Sequence, residues 1–314
     1  MSSQEKIIIG TRGSDLALWQ SGWVADELRR LYPKIAVETL TIKTKGDKIL
    51  DSPLSKIGDK GLFTKEIENA LLDKTIDLAV HSLKDVPTNL TEGLVLGAIT
   101  EREDVRDVFV AHPKKKYPSL SAVPKNGSIA TGSLRRRCQL LSFRPDLNII
   151  DIRGNLKTRR TKLEDSDWDG MLLAKVGVTR LGWSQIISEI LPPTLILPAV
   201  GQGALAIEIR NNDARLKSIV GSLNHVPTEQ ATTGERALLR FLEGGCQIPI
   251  GTFGRIEGAQ FVLDAVVGSI DGTRIVRGSI SGSPANTGKL GVTLAEELLN
   301  KGADKILEEI RMSS

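Results

Sequence analysis

Three kinds of side chain in this sequence are equipped for chemistry, and each sits in a short stretch framed by Gly or Pro. The first is a carboxylate. In "VHSLKDVPT", Lys84 and Asp85 stand together just past an apolar run, and Pro87 keeps the chain out of a further regular element. A carboxylate in cationic company does not bind anions, so it either pairs with a cation structurally or meets positive charge that develops in a reaction. The second is a thiol, Cys246 in "LEGGCQIPIG". An attacking thiolate wants a nearby base or a helix N-terminus to lower its pKa. Here Gly244 and Gly245 read as the C-terminal cap of the preceding helix, and that negative end disfavours a thiolate. A small apolar filler in a turn is the alternative. The third is a field of cations: nine Lys or Arg between Thr131 and Lys162 against two acids, Asp146 and Asp151. Such an imbalance points to an anionic ligand.

These residues need elements to aim them. Short β-branched runs alternate with helix-like stretches, the pattern of βα units in a mostly parallel sheet. "KIIIGTR" reads as a strand and "SDLALWQSGWVADELRRLYP" as a helix, capped by Ser14 or Asp15 and ended by Pro33. "VETLTIK", "TKEIENALLDK" and "IDLAVHS" continue the series as strand, helix and strand. A second block repeats it with "SIATGS", "LRRRCQLLSF", "LNIIDIR", "NLKTRRTKLED" and "GMLLAKVG". "ALAIEIR" is a strand that could return the chain to the first lobe. After a helix closed by Gly244 and Gly245, hairpin-like strands lead to a closing helix expected to start at a capping box of Thr293 and Glu296. The fold class is therefore α/β, two lobes followed by a small α+β domain.

The polar motifs fall where strands end: "GTRGS", "HSLKD", "TGSLRRR" and "RGN". In open α/β sheets ligands bind beyond the carboxyl ends of strands, so both lobes are expected to aim cationic loops at one cleft. For Arg12 and Ser14 an exposed turn with a helix cap is the competing reading. Arg135, Arg136 and Arg137 are consecutive on a helix and point in different directions, so only one or two of them can bind. Arg153 follows its strand most directly. His81 reads as a hydrogen-bonded strand-end residue, and Cys138 as a buried filler.

Several functions are disfavoured. "GQGALA" has dinucleotide-fingerprint spacing but precedes a strand, and no P-loop exists. Three dispersed histidines and two cysteines make no zinc set, so no metal is expected. Aromatics are only 4% and hardly punctuate the basic stretch, which argues against nucleic acid. No apolar run is long enough for a membrane helix and the start lacks a secretory layout, so a cytoplasmic protein is expected.

Taken in order, "GTRGSDLALWQ", "GDKGLFTKE", "AVHSLKDVPT", "GSLRRRCQL", "IRGN", "LPAVGQGA" and "LEGGCQIPIG" resemble the porphobilinogen deaminase (hydroxymethylbilane synthase) family over nearly the whole chain. The resemblance implies a transferase of tetrapyrrole biosynthesis that condenses four porphobilinogen molecules head to tail with loss of ammonia and releases hydroxymethylbilane by hydrolysis. It implies a dipyrromethane primer held by a thioether on Cys246, and it maps the catalytic aspartate onto Asp85. Cofactor contacts fall on Lys84, Asp85, Ser133, Arg135 and Arg136, and substrate contacts on Arg12, Ser14, Gln20, Arg153, Arg159 and Arg180. Lys56, Lys60 and Phe63 fall in a lid loop. Two periplasmic-binding-protein-like domains, residues 1–103 with 199–222 and residues 104–198, and a third, residues 223–314, are implied, in a monomer. One departure stands out: Gly132 occupies a place where the family usually has a hydroxyl residue.

Overall fold

The computed structural model describes residues 5–44, 46, 64–242 and 248–312. The chain opens with β1 (Lys6–Thr11), α1 (Asp15–Leu31), β2 (Ala36–Thr41), α2 (Lys65–Leu72), β3 (Leu78–Ser82) and β4 (Leu94–Ile99). Joined by β10 (Leu205–Arg210), these strands form a five-stranded sheet in the order β2-β1-β3-β10-β4. β1 is parallel to β2 and β3, whereas β10 runs antiparallel to β3 and β4. Helices cover both faces, which is why β1 is nearly continuous in apolar residues. Ile7 and Ile9 pack with Val24 and Leu28 of α1; Ile8, between them, packs with Ile67 and Leu71 of α2. Ser14, not Asp15, is the N-cap of α1, its hydroxyl accepting from the Ala17 N–H at 3.4 Å.

A second sheet repeats the arrangement with β5 (Asp107–Ala111), β6 (Ser128–Ala130), α3 (Leu134–Phe143), β7 (Asn148–Ile150), α4 (Leu156–Glu164), β8 (Gly170–Ala174), α5 (Lys175–Arg180) and β9 (Glu189–Leu191). Its order is β7-β6-β8-β5-β9, with β6 parallel to β7 and β8 and with β5 antiparallel to β8 and β9. Each sheet thus holds a parallel triad and an antiparallel fourth strand, so both are mixed. The strand expected across "GMLLAKVG" stops at Ala174, where α5 takes over.

The remaining described chain is α6 (Ala214–Gly221), α7 (Val226–Phe241), an antiparallel meander of β11 (Ile250–Glu257), β12 (Gln260–Gly268) and β13 (Ile275–Gly282), then α8 (Thr287–Leu298) and α9 (Asp304–Met312). Phe261, Leu263, Leu294, Leu298, Ile306 and Ile310 form the core of this α+β part. The expected capping box at Thr293 is a correction: α8 starts six residues earlier, so Thr293 lies within it. Ser283 instead caps a 3-10 turn, Pro284–Asn286, that runs into α8. Gly302, at φ 100°, breaks the helix between α8 and α9.

Packing divides the described chain into two compact units. One holds the residues up to Glu103 with Gly203–Glu229, and the other holds Asp104–Gln202 with everything from Gln230 onward. Within the second unit α3 packs on the meander: Cys138 is fully buried and its thiol lies 4.0 Å from the Pro249 carbonyl. Burial pushes that thiol up to about 12, so Cys138 is an inert filler.

Candidate active site

In the first unit, Arg12 directly follows β1, and Leu83–Asp85 form a 3-10 turn directly after β3. Because β1 and β3 are parallel neighbours, Arg12 and Asp85 leave the sheet at one edge. Leu83 is buried and its N–H donates to the Ala204 carbonyl at 3.0 Å, which anchors the turn and turns Asp85 outward. Asp85 is exposed, and no side chain pairs with its carboxylate among the described residues. The structural ion pair that competed for this aspartate is therefore not formed there. Gln20 Nε2 donates to Ser82 Oγ at 2.7 Å, tying α1 to the end of β3. His81 shares a hydrogen bond with Glu208, Nε2 to Oε2 at 3.1 Å, with both side chains buried.

In the second unit, the cations gather where β6, β7 and β8 end. Ser133 caps α3, accepting from the Arg136 N–H. Arg135 and Arg136 differ from the simple expectation of carboxylate ligands. Arg135 Nη1 lies 2.7 Å from Asp107 Oδ2 and Arg136 Nη2 lies 2.9 Å from Asp107 Oδ1, with all three side chains buried. Burial alone would push the Asp107 carboxyl up; the charges of Arg135 and Arg136 and their hydrogen bonds outweigh it and hold it well below the carboxylate range. Much of both guanidinium groups is thus committed inside the protein.

Sequence reasoning missed Asp107 altogether, although a lone acid opening the apolar run "DVFVA" was a signal available in the sequence. It also left Gln202 without a role. Gln202 Nε2 donates to Asp107 Oδ1 at 2.9 Å and to the Val105 carbonyl at 2.6 Å, so the Gln of "GQGALA" has a structural role. Its Gly203, at φ +100°, leaves no room for a Cβ, which would stand 2.6 Å from the Glu103 carbonyl.

What remains over is donor capacity. Arg136 Nε, Arg137 Nε and Arg153 Nη1 are buried with no partner among the described residues. Burial pushes the Arg153 guanidinium down, and nearby Asp151 only partly opposes this. Arg159 Nε donates to the Gly154 carbonyl at 2.8 Å, and Arg180 is buried at the end of α5. Orphaned guanidinium N–H groups at strand ends suit a polycarboxylate, since an unsatisfied buried donor is costly until an acceptor arrives. A carboxylate-bearing dipyrromethane fits this donor set. Cys246, Lys56, Lys60 and Phe63 lie outside the described residues.

Comparison with known proteins agrees with this chemistry. The family model "Porphobilinogen deaminase, dipyromethane cofactor binding domain" matches residues 7–218, and "Porphobilinogen deaminase, C-terminal domain" matches residues 229–300. A porphobilinogen deaminase from Chlorobium phaeobacteroides (strain BS1) is 54% identical over 312 residues, covering 98% of this chain and 99% of that protein. One from Carboxydothermus hydrogenoformans is 51% identical over 308 residues, covering 98% of each. Among solved structures, the periplasmic aliphatic sulphonate binding protein SsuA from Escherichia coli aligns at TM-score 0.41 with 16% identity, over 76% of this chain and 70% of that one. With both family models matched and relatives aligned end to end, the chain belongs to the porphobilinogen deaminase family.

Proposed function

We propose that Asp85 is the catalytic carboxylate with which this chain condenses porphobilinogen head to tail. Loss of ammonia from the aminomethyl group breaks a C–N bond and leaves an electron-poor pyrrole that is cationic while its nitrogen is protonated. A carboxylate near that N–H stabilises the charge; once the new C–C bond forms, it accepts the proton displaced from the attacking carbon and passes it to solvent. The exposed, unpaired Asp85 side chain at a strand-end edge is the observation that carries the reading. A carboxylate locked into an ion pair could do neither.

Arg12, Arg153, Arg159 and Arg180, with Ser14 and Gln20, bind the substrate's acetate and propionate groups in this reading, Arg as a bidentate partner. Lys84, Ser133, Arg135 and Arg136 hold the cofactor's carboxylates; the partnerless Nε of Arg136 supports that role even though its other N–H groups serve Asp107 and the Leu172 carbonyl. Cys246 carries the dipyrromethane as a lasting thioether, and Lys56, Lys60 and Phe63 belong to a lid that excludes water. When bound, that group supplies the nucleophilic pyrrole carbon on which the first addition occurs. The three-domain division at residues 1–103 with 199–222, 104–198 and 223–314, a monomeric cytoplasmic protein and the absence of a nucleic-acid partner complete the proposal. No described helix is long and apolar enough to cross a membrane.

The test combines intact mass with turnover. The purified wild type carries the excess mass of a dipyrromethane and Cys246→Ala does not. Asp85→Asn retains the excess mass but turns porphobilinogen over about 10²-fold more slowly or worse, the scale of lost proton transfer. Near-normal turnover by Asp85→Asn, or active wild type with unmodified mass, overturns the respective assignment.

A further inference from the structure

The second unit has a cavity of about 390 Å³ away from the strand ends that carry Arg153 and Ser133. It opens where β5 finishes and β8 begins, since Ala111 pairs with Gly170 across that antiparallel ladder. The cations described above sit at the opposite ends of β6, β7 and β8, so this is a different place in the same unit. Its floor is apolar, made by Val110, Leu163, Met171 and Ile186.

His112 lines this cavity and is only 2% exposed. Its Nδ1 accepts the Lys114 N–H at 3.1 Å, which fixes the tautomer: the proton sits on Nε2. That Nε2 is buried with no partner among the described residues. A buried N–H without an acceptor is a cost the fold bears unless something fills the cavity and accepts from it.

The other polar groups specify what would. The charged residues lining the cavity are Lys116, Arg160 and Glu164. Arg160 is held in place by Glu164, Nε to Oε1 at 2.8 Å, and by the Trp183 ring, whose centroid is 5.3 Å from its guanidinium carbon. Among the described residues no hydrogen bond engages its two Nη groups. Lys116 adds a second cation, placed by a backbone in the left-handed region at φ 52° that its N–H to the His112 carbonyl closes. The Lys, Arg and Glu side chains of the lining therefore sum to one positive charge above an apolar floor, with the His112 Nε2 N–H as a directed donor. We propose that this cavity is a second ligand site, for a small carboxylate with an apolar or aromatic body, whose carboxylate accepts from His112 Nε2 and whose charge meets Arg160 and Lys116. The cavity size lies within the range of small-molecule sites.

The chain has three histidines, so its imidazole resonances are separable. In full-length protein labelled with ¹⁵N-histidine, benzoate should shift the His112 Nε2 resonance saturably and at least tenfold more tightly than the neutral benzamide. His112→Asn keeps an acceptor for the Lys114 N–H and removes the Nε2 donor, so it should weaken benzoate binding at least tenfold by calorimetry. Met171→Trp, which fills the floor, should do the same while leaving the melting transition cooperative. The histidine probe and the floor variant separate this site from any benzoate bound at the strand-end arginines. No saturable His112 shift up to about 10 mM benzoate, where the affinity would be too weak for a specific site, overturns the proposal. So do equal responses to benzoate and benzamide, or two folded variants that bind like wild type.

Discussion

Arg153 and Asp107 represent opposite uses of charge in one unit. Arg153 keeps a buried Nη1 without an acceptor among the described residues, so that N–H adds nothing to folding, and in the proposed reading it serves the substrate's carboxylates. Replacing it by Met keeps the apolar stem and removes the orphaned donor. Arg153→Met should therefore melt at or above the wild-type temperature, while kcat/KM for porphobilinogen falls tenfold or more, about 1.4 kcal/mol of lost transition-state binding. A fall in both would make Arg153 a structural residue. The positions of Asp85 and Arg153 just past strands were legible in the sequence because each follows an apolar run, and position after a strand is a one-dimensional signal. The commitment of Arg135 and Arg136 was not legible: their partner lies 28 and 29 residues away in sequence, and only the sheet brings it under α3.

Elements carry the second kind of constraint, close backbone approach. Gly132 lies between β6 and α3, and a Cβ there would stand 2.5 Å from the Ile152 carbonyl oxygen after β7. The two strand-end loops thus approach too closely at this point to admit a side chain. Gly132→Ala should destabilise by about 1–3 kcal/mol in urea unfolding, the cost of overpacking against backbone; an unchanged midpoint would mean the loops part freely. Most helices and strands of the parallel triads were readable from apolar periodicity and caps. Strands β4, β5 and β9, which lie outside the parallel triads, are not followed by an α-helix, so the alternating strand–helix pattern did not mark them. Thr293 with Glu296 had the spacing of a helix start yet lies inside α8, since a capping-box pattern is equally compatible with an exposed turn of a continuing helix.

For the molecule as a whole, acid sensitivity should follow from its buried ion pairs. The folded-state pKa of Asp107 lies below its unfolded value of about 3.9, so the pair contributes stability above that value and loses it as pH falls through the folded pKa. Asp104 and Asp169 are held low in the same sense, Asp104 chiefly by its hydrogen bond to Arg106 and Asp169 by Lys115 against the opposing effect of burial. Unfolding free energy by urea titration should fall steadily below about pH 5. Asp107→Ala, which strands two buried guanidinium groups, should cost about 3–5 kcal/mol at pH 7 and flatten the acid slope. A parallel slope in that variant would place the acid-labile groups elsewhere.

The position of β10 sets an order of assembly. β3 and β4 meet only through β10, whose residues Leu205–Arg210 are synthesised after every strand of the second sheet. A nascent chain therefore has every strand of the second sheet by Leu191, while β3 and β4 still lack the strand that joins them and keep open hydrogen-bonding edges. Order of synthesis and order of sheet completion are therefore inverted, which leaves the facing edges of β3 and β4 exposed longest during synthesis. A fragment ending at residue 198 should show amide exchange protection in β5–β9 and little in β1–β4; protection of β1–β4 in that fragment would show that the first sheet closes without its last strand.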